Sequence, residues 1–373
     1  ANKANGADPP MAERNPFTPA FGTVPPIMAG RDRLLAELHA ALEQGVGDPN
    51  LSSILVGARG TGKTACLTRL CEDASDAGWV SASSSAIPGL LDDILQQARR
   101  ASAQLVKPKP QRQLTGLSVG PIGASWDMGD EERGNWRTRM SALLERLNAR
   151  DVGLLITVDE VDASLGELIT MAVVYQHFVR ERRKVALLMA GLPSHVHALL
   201  NDKSVSFLRR AQRHPLGTIA DADVRDALKR TVASGGKTID EEALGICVEA
   251  TGGFPYMLQL VGYRSWQSAL GKAEVGKEDA RAGMRAAQED FREHVLASTY
   301  RELSAVDLRF AKAMLPDKAE SRLADIARRM GVTSRYASKY RGRLVAAGIV
   351  EELSRGVLRF AIPGFRKYLQ EME

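Results

Sequence analysis

The sequence predicts an α/β core built on a parallel sheet, followed by a helical region and a small C-terminal module of helices and a hairpin. Three observations lead to this fold class. Short apolar runs alternate with helical patterns over residues 25–217, an order typical of doubly wound α/β folds. Only helical patterns follow over residues 218–300, and residues 301–373 then combine three short helices with two short strands. A length of 373 residues suits two or three domains.

The first element is an extended arm ahead of the core. Residues 1–24 are expected to form a disordered leader and this arm, with residues 1–10 a leader or a cloning remnant before a native start at Met11. Residues 15–28 are rich in Pro, Phe and Gly. We expect Phe17, Phe21 and Ile27 to pack on another element.

The core follows as alternating helices and strands. Its continuous apolar runs are bounded by turn residues, which indicates strands buried on both faces of a parallel sheet. The predicted strands are Leu51–Val56, Trp79–Ala82, Leu154–Asp159, Val185–Ala190 and His214–Leu216, and the predicted helices are Arg31–Glu43, Lys63–Ala77, Pro88–Leu105 and one ending at Asn148. Residues 107–136, dense in Pro, Gly and Ser, interrupt the pattern as a structural insertion or as a loop that binds a substrate or partner.

The composition is that of a globular protein, with 44% apolar and 25% charged residues. No apolar run reaches the roughly 18 residues that a membrane span requires, and no signal-peptide pattern opens the chain. The cysteines Cys66, Cys71 and Cys247 are odd in number and lack metal-ligand spacing. We therefore expect core cysteines in a cytoplasmic protein without a membrane partner, with redox sensitivity as the alternative for Cys66 and Cys71.

A glycine-rich phosphate-binding motif follows the first core strand. The run Gly57, Ala58, Arg59, Gly60, Thr61, Gly62, Lys63, Thr64, together with Ala65, matches the complete P-loop pattern between a strand and a helix. Its glycines let successive N–H groups point at phosphate oxygens, and the helix N-terminus adds partial positive charge. Lys63 is expected to reach the β- and γ-phosphates, and the Thr64 hydroxyl to ligate Mg²⁺. The core is therefore predicted to be a P-loop NTPase that binds ATP and Mg²⁺.

A carboxylate pair ends the apolar strand that closes at Asp159. We expect Asp159 to hold Mg²⁺ through water, and Glu160 to polarise the attacking water as general base. The alternative is that the pair caps a helix. Asp162 is a further carboxylate. We expect it to cap a helix or to contact the residues that bind Mg²⁺ without binding the ion itself.

One further position is a candidate for sensing the γ-phosphate, and another is a candidate for stabilising charge in the transition state. The strand Val185–Ala190 is expected beside the Asp159 strand, and Gly191 stands at its end where a polar residue would sense the phosphate, so Ser194 is the nearest hydroxyl. The basic cluster 207–214 precedes the last strand. Arg210 is our candidate for stabilising transition-state charge, from the same or a neighbouring subunit, against the alternative of an ion-paired or solvated face.

The C-terminal module is predicted to be a winged helix. Helices Ser304–Leu315, Ser321–Met330 and Ser334–Ala347 precede two strands around the turn Ser354-Arg355-Gly356, which is the helix-turn-helix plan with a wing. Residues 304–373 hold 14 Lys/Arg against 8 Asp/Glu, while the other 303 residues are nearly balanced. This asymmetry predicts contact with double-stranded DNA, through Ser334, Arg335, Ser338, Lys339, Arg343 and Arg355. A basic solvated surface or a protein-binding face is the alternative.

Taken together, these motifs resemble the AAA+ ATPases, and more narrowly the Orc1/Cdc6-like and archaeal-type STAND ATPases, including a set of actinobacterial ATP-binding proteins. Gly30 and Arg31 resemble the family's GR[DE] segment near the adenine, and Gly253-Phe254-Pro255 resembles the GxP motif of STAND lids, whose proline lies over the nucleotide. The resemblance therefore implies that Gly30, Arg31 and Pro255 bind the nucleotide and that residues 218–300 form a helical lid. This chain lacks the lid arginine of most AAA+ proteins, which favours the STAND type.

The sequence thus predicts an ATP-binding protein that hydrolyses ATP to ADP and phosphate with slow turnover. Its function is expected to be that of a nucleotide-controlled DNA-binding switch or loader, with ATP or ADP, double-stranded DNA and further copies of itself as partners. The alternative is a signalling or scaffold ATPase whose winged helix mediates protein contacts and oligomerisation.

Overall fold

The computed structural model describes residues 13–20, 22–104 and 134–372. They fall into two compact units, an α/β unit of residues 31–217 with 345–348, and a helical unit made of the rest. The predictions for the leader, for Phe21 and for most of the 107–136 segment lie outside the described residues.

The α/β unit is built on five parallel strands. These are β1 (Ser52–Val56), β2 (Trp79–Ser85), β3 (Gly153–Asp159), β4 (Val185–Gly191) and β5 (Gln212–Pro215). Their order across the sheet is β2-β3-β4-β1-β5, so β4 lies directly beside β3, as predicted. Every residue of β4 is buried, as expected for a strand covered by helices on both faces. The predicted parallel sheet is confirmed.

Helices cover both faces of this sheet. They are α1 (Asp32–Gln44), α2 (Lys63–Ala74), α3 (Leu90–Gln104), α4 (Trp136–Asn148), α5 (Gly166–Arg180) and α6 (Pro193–Asn201). Local chemistry fixes their starts: the Asn135 side chain accepts a hydrogen bond from the Thr138 amide at the start of α4, and Pro193 opens α6. The fully buried side chains of Ile54, Ile156 and Phe178 belong to the apolar core of this unit.

The pairing register places the C-terminal ends of β1, β3 and β4 at the same edge of the sheet. Val56, the last residue of β1, pairs with Gly191, the last residue of β4. Val158, next to the end of β3, pairs with Met189 of β4. The loops after β1, β3 and β4 therefore leave the sheet at the same edge, which is where ligands bind in open α/β sheets.

Residues 218–302 of the helical unit form five helices. They are α7 (Asp221–Ser234), α8 (Glu241–Thr251), α9 (Pro255–Ser268), α10 (Lys277–Phe291) and α11 (Ala297–Glu302). A wider π turn at Arg292–Leu296 links α10 to α11. The expectation that residues 218–300 contain helices and no strands is wrong. Two-residue strands β6 (Thr238–Ile239) and β7 (Glu274–Val275) pair in parallel, a register too short to leave a periodic signal.

The extended arm belongs to this unit and packs on α9. The Phe17 side chain is 2% exposed and fills a notch at Gly262, where an added Cβ would lie 2.2 Å from its ring. The Asn15 amide donates to the Tyr263 carbonyl at 3.0 Å. A hydrophobic anchor and a backbone hydrogen bond therefore fix the arm on the helix, as predicted for Phe17.

The C-terminal region contains four helices and a small antiparallel sheet. Its elements are α12 (Ala305–Ala313), β8 (Ser321–Arg322), α13 (Leu323–Met330), α14 (Ser334–Ala346), β9 (Val350–Ser354), β10 (Val357–Phe360) and α15 (Phe365–Glu371). The sheet order is β8-β10-β9. The prediction that Ser321 and Arg322 begin a helix is wrong, because both residues pair with β10. None of the helices in the described ranges combines the length and apolarity needed to cross a membrane.

Candidate nucleotide-binding site

The loop between β1 and α2 contains the predicted phosphate-binding residues Gly57, Ala58, Arg59, Gly60, Thr61, Gly62, Lys63, Thr64 and Ala65. Gly60 and Gly62 have φ values of 76° and 87°, a left-handed backbone that glycine adopts without steric cost. At Gly57 an added Cβ would lie 2.5 Å from the Leu216 carbonyl oxygen, so no side chain fits there. The glycines are therefore required by the bend of the loop and by the close approach of a neighbouring backbone.

Lys63 opens α2 and lies over the loop. Its Nζ donates to the carbonyl oxygens of Gly57 at 2.9 Å and Ala58 at 2.7 Å. Burial lowers the pKa of Lys63, while the nearby carboxylates of Asp159 and Glu160 act in the opposite direction. The ammonium is thus held above the loop by acceptors that a phosphate oxygen would replace.

A hydroxyl and a carboxylate meet at the start of α2. The Thr64 hydroxyl donates to Oδ2 of Asp159, and the other carboxylate oxygen of Asp159 accepts from the Glu160 amide at 2.8 Å. The structure therefore brings together Thr64 and Asp159, which lie 95 residues apart. Hydroxyl and carboxylate oxygens are the ligands that Mg²⁺ prefers.

Glu160 leaves the sheet in an unusual backbone conformation. Its φ is 52°, in the left-handed region that costs a residue with a side chain about 1–2 kcal/mol. Its side chain is exposed at the carboxyl edge of the sheet. Nothing in the sequence signals this conformation. The Glu160 carboxylate lies close enough to Lys63 for its charge to favour the protonated ammonium and so raise the pKa of Lys63.

The end of β4 explains why a glycine stands at the predicted sensor position. An added Cβ at Gly191 would lie 2.5 Å from the Val161 side chain, and the Gly191 carbonyl accepts from the Gly57 amide at 3.3 Å. Packing therefore excludes a larger residue. The nearest hydroxyl, that of Ser194, donates to the Val345 carbonyl within the same unit at 3.3 Å, and its sensor role stays a prediction.

The basic cluster before β5 contains two arginines in different environments. Nε of Arg209 donates to the Leu200 carbonyl at 2.9 Å, so this side chain ties the 3₁₀ turn Lys203–Arg210 to the end of α6. Arg210 is exposed. Arg209 is exposed as well, so exposure does not single out Arg210, and the role of Arg210 in stabilising transition-state charge stays a prediction.

The segments that the resemblance places near the adenine lie in both units. Arg31 belongs to the α/β unit, and its guanidinium donates to the Gly217 carbonyl at 2.7 Å. Gly30 and Pro255 belong to the helical unit; an added Cβ at Gly30 would lie 3.0 Å from Ile219, and Pro255 opens α9. Their nucleotide contacts stay predictions.

The cysteines after the P-loop differ in reactivity. Cys66 is fully buried, and burial raises the pKa of its thiol to about 11. Burial also raises the pKa of Cys247. Neither thiol forms the reactive thiolate readily, whereas Cys71 is partly exposed, with Sγ 3.2 Å from the Ser83 hydroxyl.

The residues predicted to contact DNA lie on α14 and on the β9–β10 turn. Ser334, Arg335 and Lys339 are exposed, Ser338 is half-buried, and Arg355 is exposed in the turn. Sequence reasoning missed Tyr336, whose ring is 43% exposed and packs on Tyr340 with ring centroids 5.1 Å apart. The signal that could have identified it is an aromatic residue next to Arg335 on the exposed side of α14.

Arg343 differs from the other predicted DNA contacts. Its Nη2 donates to Oδ2 of Asp307 at 2.8 Å, and Asp307, which completes the capping box of α12 with Ser304, is 3% exposed. The guanidinium thus neutralises a buried carboxylate. Arg343 consequently has a structural partner that leaves less of its charge for a ligand.

We expect Arg343→Ala to lower the free energy of unfolding by about 1–3 kcal/mol, because it leaves the Asp307 carboxylate buried without its cation. Urea denaturation measures this loss. Arg335→Ala, on the same helix but exposed, serves as the control and should change stability by less than about 0.5 kcal/mol. Equal stability of the two variants would contradict a structural role for Arg343.

Comparison with known proteins agrees with this geometry. Residues 28–170 match the family model described as an AAA ATPase domain, and residues 293–369 match a domain of unknown function (DUF8462). No relative was found among curated proteins.

Two solved structures share the fold over almost the whole chain. The Walker-type ATPase PABY2304 of Pyrococcus abyssi aligns with a TM-score of 0.65 at 14% identity, covering 92% of this chain and 96% of that chain. The ORC2 protein of Aeropyrum pernix, solved as ADPNP–ADP complexes, aligns with a TM-score of 0.61 at 16% identity, covering 95% and 96%. At such identities the likeness concerns the fold, and it confirms the P-loop fold predicted from the motifs.

Proposed function

We propose that this chain, whose residues 28–170 match an AAA ATPase domain and whose fold is similar to that of the A. pernix ORC2 protein, is an ATP-driven switch or loader that controls a DNA-binding winged helix. ATP and Mg²⁺ bind at the P-loop, slow hydrolysis resets the switch, and the nucleotide state sets the affinity of the C-terminal module for double-stranded DNA. The observation that carries the nucleotide part is the convergence of Lys63, Thr64 and Asp159 at one loop.

The residues fit the nucleotide and its cation. The loop amides and the N-terminus of α2 supply donors for phosphate oxygens, and Lys63 supplies the charge. Thr64 and Asp159 would hold Mg²⁺, which neutralises phosphate charge when bound. The related A. pernix protein was solved with ADPNP and ADP, which supports an adenine nucleotide. As in the STAND type, Pro255 is proposed to lie over that nucleotide, with Gly30 near the adenine.

Hydrolysis is assigned to the carboxylate that follows Asp159. Glu160 is exposed at the P-loop edge of the sheet and accepts a proton from water as general base. Arg210 is proposed to stabilise the charge that develops on the transferred phosphoryl group, from the same or a neighbouring copy of the chain. Gly191, at the end of β4, offers no polar side chain to the transferred phosphoryl group. The absence of this contact is consistent with slow turnover.

The DNA-binding part rests on the arrangement of α13, α14 and the small sheet. The turn Gly331-Val332 joins α13 to α14, with Gly331 left-handed at φ 63°, and the β9–β10 turn presents Arg355. This order of elements supports the proposal of a winged helix, in which the second helix of the pair enters the major groove. Arg335 and Lys339 are exposed on that helix, and phosphates would attract them.

A second candidate is a scaffold ATPase whose winged helix binds protein. Two observations favour it. Several basic residues of the module already pair with carboxylates: Arg343 with Asp307, Arg341 with Glu352, and Arg359 with Glu351. Two large apolar side chains, Tyr336 and Leu353, are 43% and 41% exposed, as in surfaces that contact other proteins.

Fluorescence anisotropy of labelled duplex DNA separates the two candidates. The full chain is titrated with ADP, ATP or no nucleotide at 50 and 200 mM salt. The DNA switch requires tighter binding with one nucleotide, and an affinity that falls by about 40-fold between the two salt concentrations for roughly three phosphate contacts. Indifference to DNA at the lower salt with either nucleotide, combined with ATP-dependent oligomers, would establish the scaffold instead.

We expect the combined variant Arg335→Glu, Lys339→Glu and Arg355→Glu to lose on the order of 100-fold in DNA affinity, because three attractions become repulsions. The matched control reverses three exposed cations elsewhere, namely Arg33, Lys203 and Arg285, with the same change in net charge. Equal losses in the two triple variants would mean that net charge alone, and not this surface, attracts DNA.

A further inference from the structure

Arg31 stands where the chain enters the α/β unit and Gly217 where it leaves. The guanidinium of Arg31 joins these two points directly, because Nη2 donates to the Gly217 carbonyl at 2.7 Å. The same nitrogen donates to the Thr61 carbonyl at 3.3 Å. One side chain therefore links the first and the last residue of the 31–217 segment to a residue of the P-loop.

Thr61 is held in place within that loop by burial and by a hydrogen bond. It is 4% exposed, and its hydroxyl donates to the Ala58 carbonyl at 2.8 Å, so it closes the loop on itself. A shift of its carbonyl would therefore move the amides on either side of it, which are the groups proposed to hold phosphate.

The other end of the loop touches the same exit segment. The Leu216 amide donates to the Val56 carbonyl at 2.7 Å, and the Leu216 carbonyl approaches Gly57 so closely that no Cβ fits between them. Residues 216 and 217 thus contact the first residue of the P-loop directly and its fifth through Arg31.

We infer that Arg31 is a positioning residue that makes the P-loop and the exit segment at Gly217 move as one body, and that it does not contact the base. This inference rests on the proposed ATP binding at the loop and changes the role that the family resemblance implies for Arg31. Arginine suits the task, because one Nη carries two N–H groups with permanent charge and can serve two carbonyl oxygens at once. Ordering of the loop by a triphosphate is thereby transmitted to the exit segment.

The first test compares ATP with inorganic tripolyphosphate, which has no base. Both are titrated with Mg²⁺ into the full-length parent, Arg31→Ala and Arg31→Lys, with Arg33→Ala as an exposed control on the same helix. We expect Arg31→Ala to weaken both ligands by the same factor, about tenfold, because preorganisation of the loop is lost. Arg31→Lys should recover most of the affinity. Weakened ATP binding with unchanged tripolyphosphate binding would show a base contact and overturn the inference.

The second test measures hydrogen exchange at the exit segment. In the parent, ATP should slow the exchange of the Leu216 and Gly217 amides, and in Arg31→Ala that slowing should be lost even when ATP saturates the loop. A slowing that persists in the saturated variant would contradict the coupling. Should Arg31→Ala fail to fold, Arg31→Lys carries both tests with smaller effects in the same direction. A parent that binds neither ligand would instead refute the proposed function.

Discussion

Lys63→Ala is expected to weaken ATP binding by about 100-fold or more, because it removes the cation that reaches the β- and γ-phosphates. Lys63 donates to the carbonyl oxygens of Gly57 and Ala58. It is the one lysine among residues 57–64, all of which the structure describes. Without it, the phosphate charge meets only the partial charges of the amides and of α2. Each factor of ten corresponds to about 1.4 kcal/mol.

Isothermal titration of the full chain with Mg·ATP measures this effect. Arg69→Ala is the matched control, because it removes a cation from the same helix that pairs with Asp73 and lies away from the loop. Its affinity should stay within about threefold of the parent, as expected for an exposed ion pair. Binding by Lys63→Ala at the parental level would show that the triphosphate lies elsewhere.

Glu160→Gln is expected to slow phosphate release by roughly 10²–10⁴-fold while ATP binding stays within about threefold, because a neutral amide takes no proton from water. Gln has nearly the shape of Glu and adopts the same left-handed backbone at the same cost. The variant therefore separates the chemistry of the carboxylate from its backbone conformation.

Single-turnover release of phosphate at saturating ATP is the direct measurement. Asp162→Asn is the control two residues along the chain. Asp162 accepts a hydrogen bond from the Ser164 amide at 2.9 Å, a bond that holds the pKa of its carboxyl below the usual value. Asn keeps this acceptor, so turnover should change little. Unchanged release from Glu160→Gln would mean that Glu160 is not the base.

The strands and the phosphate loop were predictable because their signals are local. The apolar runs of β1, β3 and β4 and the spacing of glycines around Lys63 are contained in a few consecutive residues. Helix α5 left no assignable signal, because Leu168, Met171, Val174 and Phe178 are buried along with partly buried neighbours. A helix that is apolar on most sides has little periodicity to detect.

The partners of the charged residues were not predictable, because they depend on contacts between distant parts of the chain. The Arg31 guanidinium meets a carbonyl 186 residues away, and Arg343 meets a carboxylate 36 residues away. Main-chain acceptors such as Gly217 have no residue-type signature at all. Outward-facing arginines on a helix therefore looked alike in the sequence, although one of them is tied to the interior.

At position 160 the left-handed backbone favours other residue types for stability, whereas the proposed hydrolysis requires the carboxylate of glutamate. Asn and Gly accept this backbone more easily than glutamate, and strain at functional positions costs of order 1–3 kcal/mol. A population of variants screened for heat resistance alone should therefore accumulate Asn or Gly at position 160. Under the proposed role of Glu160 as general base, those survivors would outlast the natural protein on heating but would leave their bound triphosphate intact.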